Sequence, residues 1–507
     1  MDAFGAIVAP GIQTAVPPAA KPAIHPAPQP QPQLNTEAYD PIVENPFRRV
    51  ADEPLSTFSI DVDTASYSNV RRFLMAGQLP PPGAVRIEEL VNYFTYDYPP
   101  PSDGRPFSVA ADVAACPWNE KHRLVRIGLK GREIDRDVRP ASNLVFLVDV
   151  SGSMQPENKL PLVKKSLRML VEQLTERDHV AMVVYAGSSG LVLPSTTGSE
   201  RATLLGAIDC LESGGSTNGA AGLQLAYNTA RDGFIKGGTN RVILCTDGDF
   251  NVGITSQDEL VRLIETEAKS GVFLSALGFG MGNYKDSTLE KLADKGNGNY
   301  AYIDTEREAR KVFVEQLSGT LVTIAKDVKI QIEFNPARVG AFRLLGYENR
   351  VLAHEDFNND KKDAGEIGAG HSVTALYELV PIGDEAGLPG VDPLKYQPRP
   401  KAPAGGDDNH ELLTVKLRYK EPEAEQSQLL EKPLVDDAKP LAQAPADFKF
   451  ATAVTAFGMI LRGSEHRGTA TLATVAEWAN NGKGADLQGY RAEFLDLVAR
   501  AARLKKD

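Results

Sequence analysis

Oxygen-bearing side chains stand at alternate positions after an apolar run in this sequence. Residues 144–153 read LVFLVDVSGS, a run that ends in Asp149, Ser151 and Ser153. Side chains of these types suit three kinds of chemistry: capping of a following helix, nucleophilic catalysis by a serine, or binding of a hard cation. The residues that the rest of the chain places near this motif decide between the three interpretations.

Strand and helix patterns alternate around this motif. Continuous apolar runs, typical of strands buried on both faces, occur at 143–150, 179–186, 241–248 and 272–280, with segments of helical periodicity between them. The alternation over 141–325 predicts a doubly wound α/β domain with a central parallel, Rossmann-like sheet. Ligands of such sheets bind beyond the carboxyl ends of the strands, where the LVFLVDVSGS run ends.

Two further oxygen donors fall at this predicted edge. Thr217 stands in the loop SGGSTNG, and Asp247 closes the strand RVILCTDG. With Asp149, Ser151 and Ser153 they form a set of two carboxylates and three hydroxyls, without histidine or cysteine. Such a set favours Mg²⁺ or Mn²⁺ over zinc, and two carboxylates leave a coordination position for a partner.

Three motifs carry a resemblance to a known family. DVSGSM at 149–154, GGSTN at 214–218 and CTDGDFN at 245–251 resemble the metal-ion-dependent adhesion site (MIDAS) of the von Willebrand factor type A (VWA) domain. All three motifs stand in the expected order and on the expected elements. The sequence is therefore identified as a member of the VWA proteins.

The resemblance implies a role for each of the five oxygen donors. Ser151 and Ser153 would bind the metal directly, and Thr217 directly or through water, depending on conformational state. Asp149 and Asp247 would act mostly through water. An Asp or Glu side chain of a protein partner would complete the coordination.

Neighbouring residues are candidates for a rim that contacts this partner. They are Gly215, Ser216, Asn218, Asp249 and Asn251. For Asp249 and Asn251 an ordinary solvated loop position is an equally good interpretation.

The flanking segments resemble those of a group of bacterial VWA proteins, in which a helical N-terminal segment and a characteristic C-terminal region surround the VWA domain. Strand-like patterns after the VWA segment add a β-sandwich-like region. The predicted organisation is a disordered Pro/Ala-rich tether (1–39), a helical segment (40–105), strands that join the sandwich (106–140), the VWA domain (141–325), a β-sandwich-like region (326–420), a linker (421–447) and a helical region (448–507).

Compartment and partner class follow in part from composition. The resemblance favours the cell envelope or periplasm, but no basic residue precedes Lys21 and no N-terminal lipobox cysteine is present, so no clear signal peptide is predicted. No apolar stretch is long enough to predict a transmembrane helix. A net charge of −12 argues against a nucleic-acid partner, which needs a basic surface.

Catalytic interpretations have less support. None of the seven histidines falls in the three loops, and the G-x-S-x-G elbow of serine hydrolases is missing. SIDVDTAS at 59–66 imitates a phosphoryl-accepting aspartate pair that would include Asp61, but helical periodicity starts at once, so Asp63 or Thr64 is expected to cap a helix.

The sequence therefore predicts a non-enzymatic, metal-dependent protein-binding, adhesion or scaffold module. A Mg²⁺-dependent hydrolase or phosphatase-like enzyme and an assembly factor for a membrane complex are the alternatives.

Overall fold

Helices and strands alternate along most of this computed structural model, which describes residues 37–135, 137–216, 219–248, 257–282, 285–384 and 410–505. The first elements are β1 (Arg48–Arg49), β2 (Leu55–Ser59), α1 (Ala65–Met75), α2 (Ile87–Asn92), β3 (Phe107–Ala115) and β4 (Arg123–Gly131). The segment predicted to be helical thus contributes two short strands as well, and β2 pairs antiparallel with a later strand.

The central α/β region follows directly. Its elements are β5 (Ser142–Asp149), α3 (Leu160–Val171), β6 (His179–Tyr185), β7 (Ser189–Thr197), α4 (Arg201–Asp209), α5 (Gly219–Asp232), β8 (Thr239–Thr246), α6 (Gln257–Lys269), β9 (Val272–Phe279), α7 (Asp286–Lys295), β10 (Tyr300–Ile303), α8 (Glu306–Arg310) and α9 (Leu317–Leu321). A π-helical turn, Lys311–Glu315, separates α8 from α9.

A six-stranded sheet with the order β10-β9-β8-β5-β6-β7 forms the middle of this region. All neighbours are parallel except β6 and the edge strand β7. Every residue of β5 is buried. Its alternate side chains enter two separate cores, with Phe146 packing on the α3 side and Leu147 on the α5 side. The predicted α/β class, with helices on both faces of a parallel sheet, is therefore confirmed.

The C-terminal part completes a pair of antiparallel sheets and a helical layer. Its elements are β11 (Thr323–Phe334), β12 (Val339–Leu345), β13 (Gly365–Gly368), β14 (Ser372–Pro381), β15 (Glu411–Lys420), β16 (Gln428–Val435), α10 (Ala446–Arg462), α11 (Leu472–Asn481) and α12 (Tyr490–Leu504). One sheet has the order β1-β12-β14-β4-β3, and the other has β13-β11-β15-β16 with β2 beside β11. Aromatic rings join the two sheets: Phe107 of β3 and Tyr419 of β15 have centroids 4.7 Å apart.

Strand β16 lies within 421–447, which the sequence predicts to be a linker. It pairs antiparallel with β15, and Pro433 lies opposite Thr414. Proline removes a hydrogen-bond donor and is tolerated on an edge strand, which is the position of β16. Pro433 and the charged residues around it interrupt the apolar alternation from which a strand is predicted.

Helices from both ends of the described chain share one core. Phe94, which follows α2, lies 4.8 Å from Phe450 of α10 and 5.8 Å from Phe494 of α12, measured between ring centroids. Across the described ranges, no helix has both the length and the apolar character needed to cross a membrane.

The SIDVD stretch joins the N-terminal segment to the central sheet. The carboxylate of Asp63 accepts a 2.7 Å hydrogen bond from the backbone N–H of Tyr300, the first residue of β10. Thr64 is the residue before α1, but its side chain makes no capping hydrogen bond. The expected side-chain cap is therefore absent among the described residues, because Asp63 binds the neighbouring strand instead.

A buried ionic junction adds a second connection between these segments. Arg86 donates to Glu89 at 2.9 Å and forms ion pairs with Asp286 at 2.9 Å and Glu290 at 2.6 Å, both on α7. A buried charge is tolerated only when it is paired, so this arginine holds the N-terminal segment against α7.

Glu88, which stands next to Glu89 of this junction, is a further buried carboxyl group. Its side-chain atom Oε2 has no hydrogen-bond partner among the described residues, and the residue is 2 % exposed. Burial, and secondly the carboxylate of Glu348, raise the pKa of Glu88 from 4.5 to about 8, although Arg462 opposes the shift. The folded protein therefore binds a proton at Glu88 that the unfolded chain releases above about pH 4.5.

This difference predicts how Glu88→Gln changes stability with pH. Because the folded pKa is raised, the wild-type protein loses stability as pH rises from about 4.5 to about 8, and the neutral amide removes this loss. We expect Glu88→Gln to change the free energy of unfolding by less than about 1 kcal/mol at pH 5 and to raise it by on the order of 5 kcal/mol at pH 9. Urea unfolding at both pH values measures this difference.

The exposed Glu306→Gln serves as the matched control, since its side chain is 58 % exposed. A Glu88→Gln effect that is the same at pH 5 and pH 9 would contradict the assignment.

Candidate metal and partner-binding site

The carboxylate of Asp149 lies at the carboxyl end of β5 and is fully buried. The strand register places Asp149 beside Tyr185, the last residue of β6, and level with Thr246, the last residue of β8. Tyr185 and Thr246 donate their hydroxyls to Asp149 Oδ2 at 3.1 and 3.3 Å, while the backbone N–H of Ser151 donates to Oδ1 at 2.9 Å. Three adjacent strand ends are thus tied to one carboxylate.

Burial is the main influence on the ionisation of this group. It raises the pKa of Asp149 from 3.8 to about 6, aided by the charge of Asp247 and opposed by the hydrogen bonds from Ser151 and Tyr185. A divalent cation nearby would favour the ionised form, because opposite charge lowers the pKa of a carboxyl group.

The hydroxyls of Ser151 and Ser153 lie together in the loop after β5. Their Oγ atoms are 3.0 Å apart, with Ser151 buried and Ser153 half-buried. Mg²⁺ holds oxygen ligands at about 2.1 Å in an octahedron, so that neighbouring ligands lie about 3 Å apart. The spacing and chemistry of the two hydroxyls fit adjacent positions around such an ion.

Asp247 follows β8 at the same edge and is fully buried. Its Oδ2 accepts a 2.7 Å hydrogen bond from Nζ of Lys159, the residue before α3. The sequence alone did not suggest Lys159, because the loop between Ser153 and α3 has no pattern that fixes where its side chains lie.

The loop before α5 reaches the same edge through its backbone. Gly214 donates its N–H to the carbonyl of Val150 at 2.7 Å, and Gly152 donates to the carbonyl of Gly215 at 3.1 Å. Gly215 has a φ of +83°, in the left-handed region that favours glycine. These bonds join the SGGSTNG and DVSGS loops.

The predicted site residues fall into two groups. The structure brings together the ends of the elements that carry Asp149, Ser151, Ser153 and Asp247, and it places the rim candidates Gly215 and Ser216 exposed on the adjoining loop. The others lie outside the described residues: Thr217, Asn218, Asp249 and Asn251.

A second group of carboxylates lies elsewhere. Oxygen atoms of Asp327, Asp363 and Glu366 are within 4.8 Å of one another beside β11 and β13. Nζ of Lys420 already donates to Asp327 Oδ2 at 2.7 Å. This cluster belongs to the antiparallel sheets and shares no residue with the VWA motifs.

Family models match most of the chain. The von Willebrand factor type A domain matches residues 143–316, a von Willebrand factor model matches residues 33–126, and a model described as the C-terminal part of uncharacterized protein YfbK matches residues 319–504. Uncharacterized protein YfbK of Escherichia coli (strain K12) is 48 % identical over 474 residues, which cover 92 % of this chain and 81 % of that protein. The chain belongs to the YfbK family of VWA-domain proteins.

More distant relatives match a smaller part of the chain. Inter-alpha-trypsin inhibitor heavy chain H3 of Homo sapiens is 27 % identical over 261 residues, covering 47 % of this chain and 28 % of that protein. The solved structure of a von Willebrand factor type A protein from Catenulispora acidiphila has a TM-score of 0.41 and 16 % identity, and covers 72 % of this chain and 88 % of that one.

Membership of the YfbK family carries a general functional meaning. VWA domains mediate protein–protein interaction, which indicates a protein-interaction or scaffold role, and they often bind a divalent metal at a MIDAS. The four described site residues lie at or just beyond the carboxyl ends of β5 and β8.

The path of the Lys159 side chain generates a prediction at Gly280. A Cβ atom at Gly280 would come within 2.4 Å of both Cγ and Cε of Lys159, and its φ is +75°. Gly77 has a similar φ of +73° but open space around it. We expect Gly280→Ala to lower the free energy of unfolding by about 2 kcal/mol more than Gly77→Ala does, since only the former adds a steric conflict to backbone strain.

Urea unfolding of the two variants measures this difference directly. Equal losses in both would show that the Lys159 side chain does not pass over Gly280.

Proposed function

We propose that this protein binds a partner protein through a divalent cation, Mg²⁺ or Mn²⁺, held at its MIDAS. The observation that carries the proposal is the pair of serine hydroxyls, of Ser151 and Ser153, 3.0 Å apart beside two fully buried carboxylates. Oxygen donors of this number and kind suit a hard cation, and their place beyond parallel strands is where such sheets bind ligands.

Each residue then has a distinct task. Ser151 and Ser153 would supply direct ligands, with Thr217 as a third hydroxyl. Asp149 and Asp247 would balance the charge and orient bound water. The bound metal would supply a positive centre that accepts an Asp or Glu oxygen of the partner. Gly215 and Ser216, both exposed, would contact the partner around that point.

We also propose that the site binds a partner without catalysing a reaction. A hydrolase would need a general base beside the metal. Among the described histidines only His179 belongs to the central sheet, and it begins β6, at the opposite end from Tyr185. Lys159, the nearby amine, is held by Asp247. These positions favour binding over catalysis.

Metal binding and partner capture test the proposal together. Isothermal titration should show Mg²⁺ or Mn²⁺ binding that Asp149→Ala and Asp247→Ala weaken by about tenfold or more, because each removes half of the carboxylate charge. Capture of a partner should fail in EDTA and with both variants, while circular dichroism stays that of the folded protein.

Asp232→Ala is the matched control, since this exposed residue ends α5 at the far side of the sheet. Partner capture that persists in EDTA and in both site variants would refute the proposal. Metal-dependent hydrolysis of phosphoesters that is lost in Asp149→Ala, but retained in Asp61→Ala, would favour the enzyme alternative. Identification of a membrane complex as the captured partner would favour the assembly-factor alternative.

A further inference from the structure

A lysine is built into the candidate metal site. Lys159 is 3 % exposed, and its ammonium lies 2.7 Å from Oδ2 of Asp247, which is itself fully buried. Lysine is almost never buried unless its charge is paired. This ammonium is therefore a fixed part of the site's electrostatics.

The elements on either side keep the ammonium in place. Its aliphatic stem passes over Gly280, which follows β9, at a distance that leaves no room for a Cβ atom. The hydroxyl of Tyr302 donates to the carbonyl of Gly280 and anchors that loop to β10. The lysine stem therefore packs directly against this loop.

A count of charges shows the consequence. The two carboxylates of Asp149 and Asp247 would neutralise a divalent cation completely. The ammonium of Lys159 adds one positive charge, so that the site formed by these side chains would carry one net positive charge when loaded. A single carboxylate from a partner returns the count to zero.

We propose that Lys159 makes the metal-loaded site selective for an anionic partner ligand, at the expense of cation affinity. The inference rests on the proposed metal-dependent function and goes beyond it, since it assigns partner selectivity to a residue outside the MIDAS motifs. Like charges repel and opposite charges attract across a few ångströms of protein, where screening by solvent is weak. The ammonium thus weakens binding of the cation and strengthens binding of the carboxylate.

Removal of the charge should therefore change the two affinities in opposite directions. Lys159→Gln keeps a hydrogen-bond donor for Asp247 but removes the ammonium. At pH 8, we expect this variant to bind Mn²⁺ about tenfold more tightly and to bind acetate, the probe for a partner carboxylate, about tenfold more weakly once loaded with Mn²⁺. Water-proton relaxation measures both, because Mn²⁺ binding and displacement of its bound water each change the signal.

Two further variants separate charge from structure. Lys165→Gln removes an exposed lysine of α3 that pairs with Glu306, and it should leave both affinities unchanged. The double variant Lys159→Gln/Asp247→Asn removes one charge of each sign and restores the net positive count. We expect its acetate affinity to return toward the wild-type value. The double variant also leaves no buried charge without a partner. Its acetate affinity can therefore be measured even if Lys159→Gln alone does not fold.

The outcomes distinguish this inference from the proposed function. If wild-type protein does not bind Mn²⁺, or if Asp149→Ala binds it equally well, both fail. If Mn²⁺ binding requires Asp149 but Lys159→Gln leaves either affinity unchanged, or moves both in the same direction, only the role of Lys159 is overturned.

Discussion

The buried carboxylate of Asp149 is the interaction on which the site depends. It accepts hydrogen bonds from Ser151, from Tyr185 on β6 and from Thr246 on β8. A carboxylate removed from water needs such donors, since an unpaired buried charge is strongly unfavourable. Because these donors lie at the ends of β5, β6 and β8, their hydrogen bonds fix the relative positions of the three strand ends. The loops that carry the serines and Asp247 are positioned with them.

Described parts of the flanking segments pack on the β10 and α7 side of the central domain. Helix α1 packs beside β10, Arg86 pairs with Asp286 and Glu290 of α7, and Asp63 binds the start of β10. By contrast, Gly215 and Ser216 beside the site are exposed. Among the described residues, the flanking segments therefore hold the β10 and α7 side of the central domain, while Gly215 and Ser216 stay exposed beside the site.

Much of this architecture could be predicted from sequence because the signals are local. The run LVFLVD has a strand's continuous apolar character, and parallel strands bring their carboxyl ends to one edge, so Asp149 and Asp247 could be placed together. Lys159 could not, because its pairing with Asp247 depends on a gap above Gly280 that exists only in three dimensions. Strand β16 was missed because Pro433 and the charges around it interrupt the strand pattern. The bond from Tyr300 to Asp63 was missed because its two partners lie far apart in sequence.

Anomalous scattering from a crystal grown with Mn²⁺ would test the central claim most directly. The account predicts a Mn²⁺ peak bound by the hydroxyls of Ser151 and Ser153, with the carboxylates of Asp149 and Asp247 beside it. A peak only at Asp327, Asp363 and Glu366, or an empty site at saturating Mn²⁺, would contradict it.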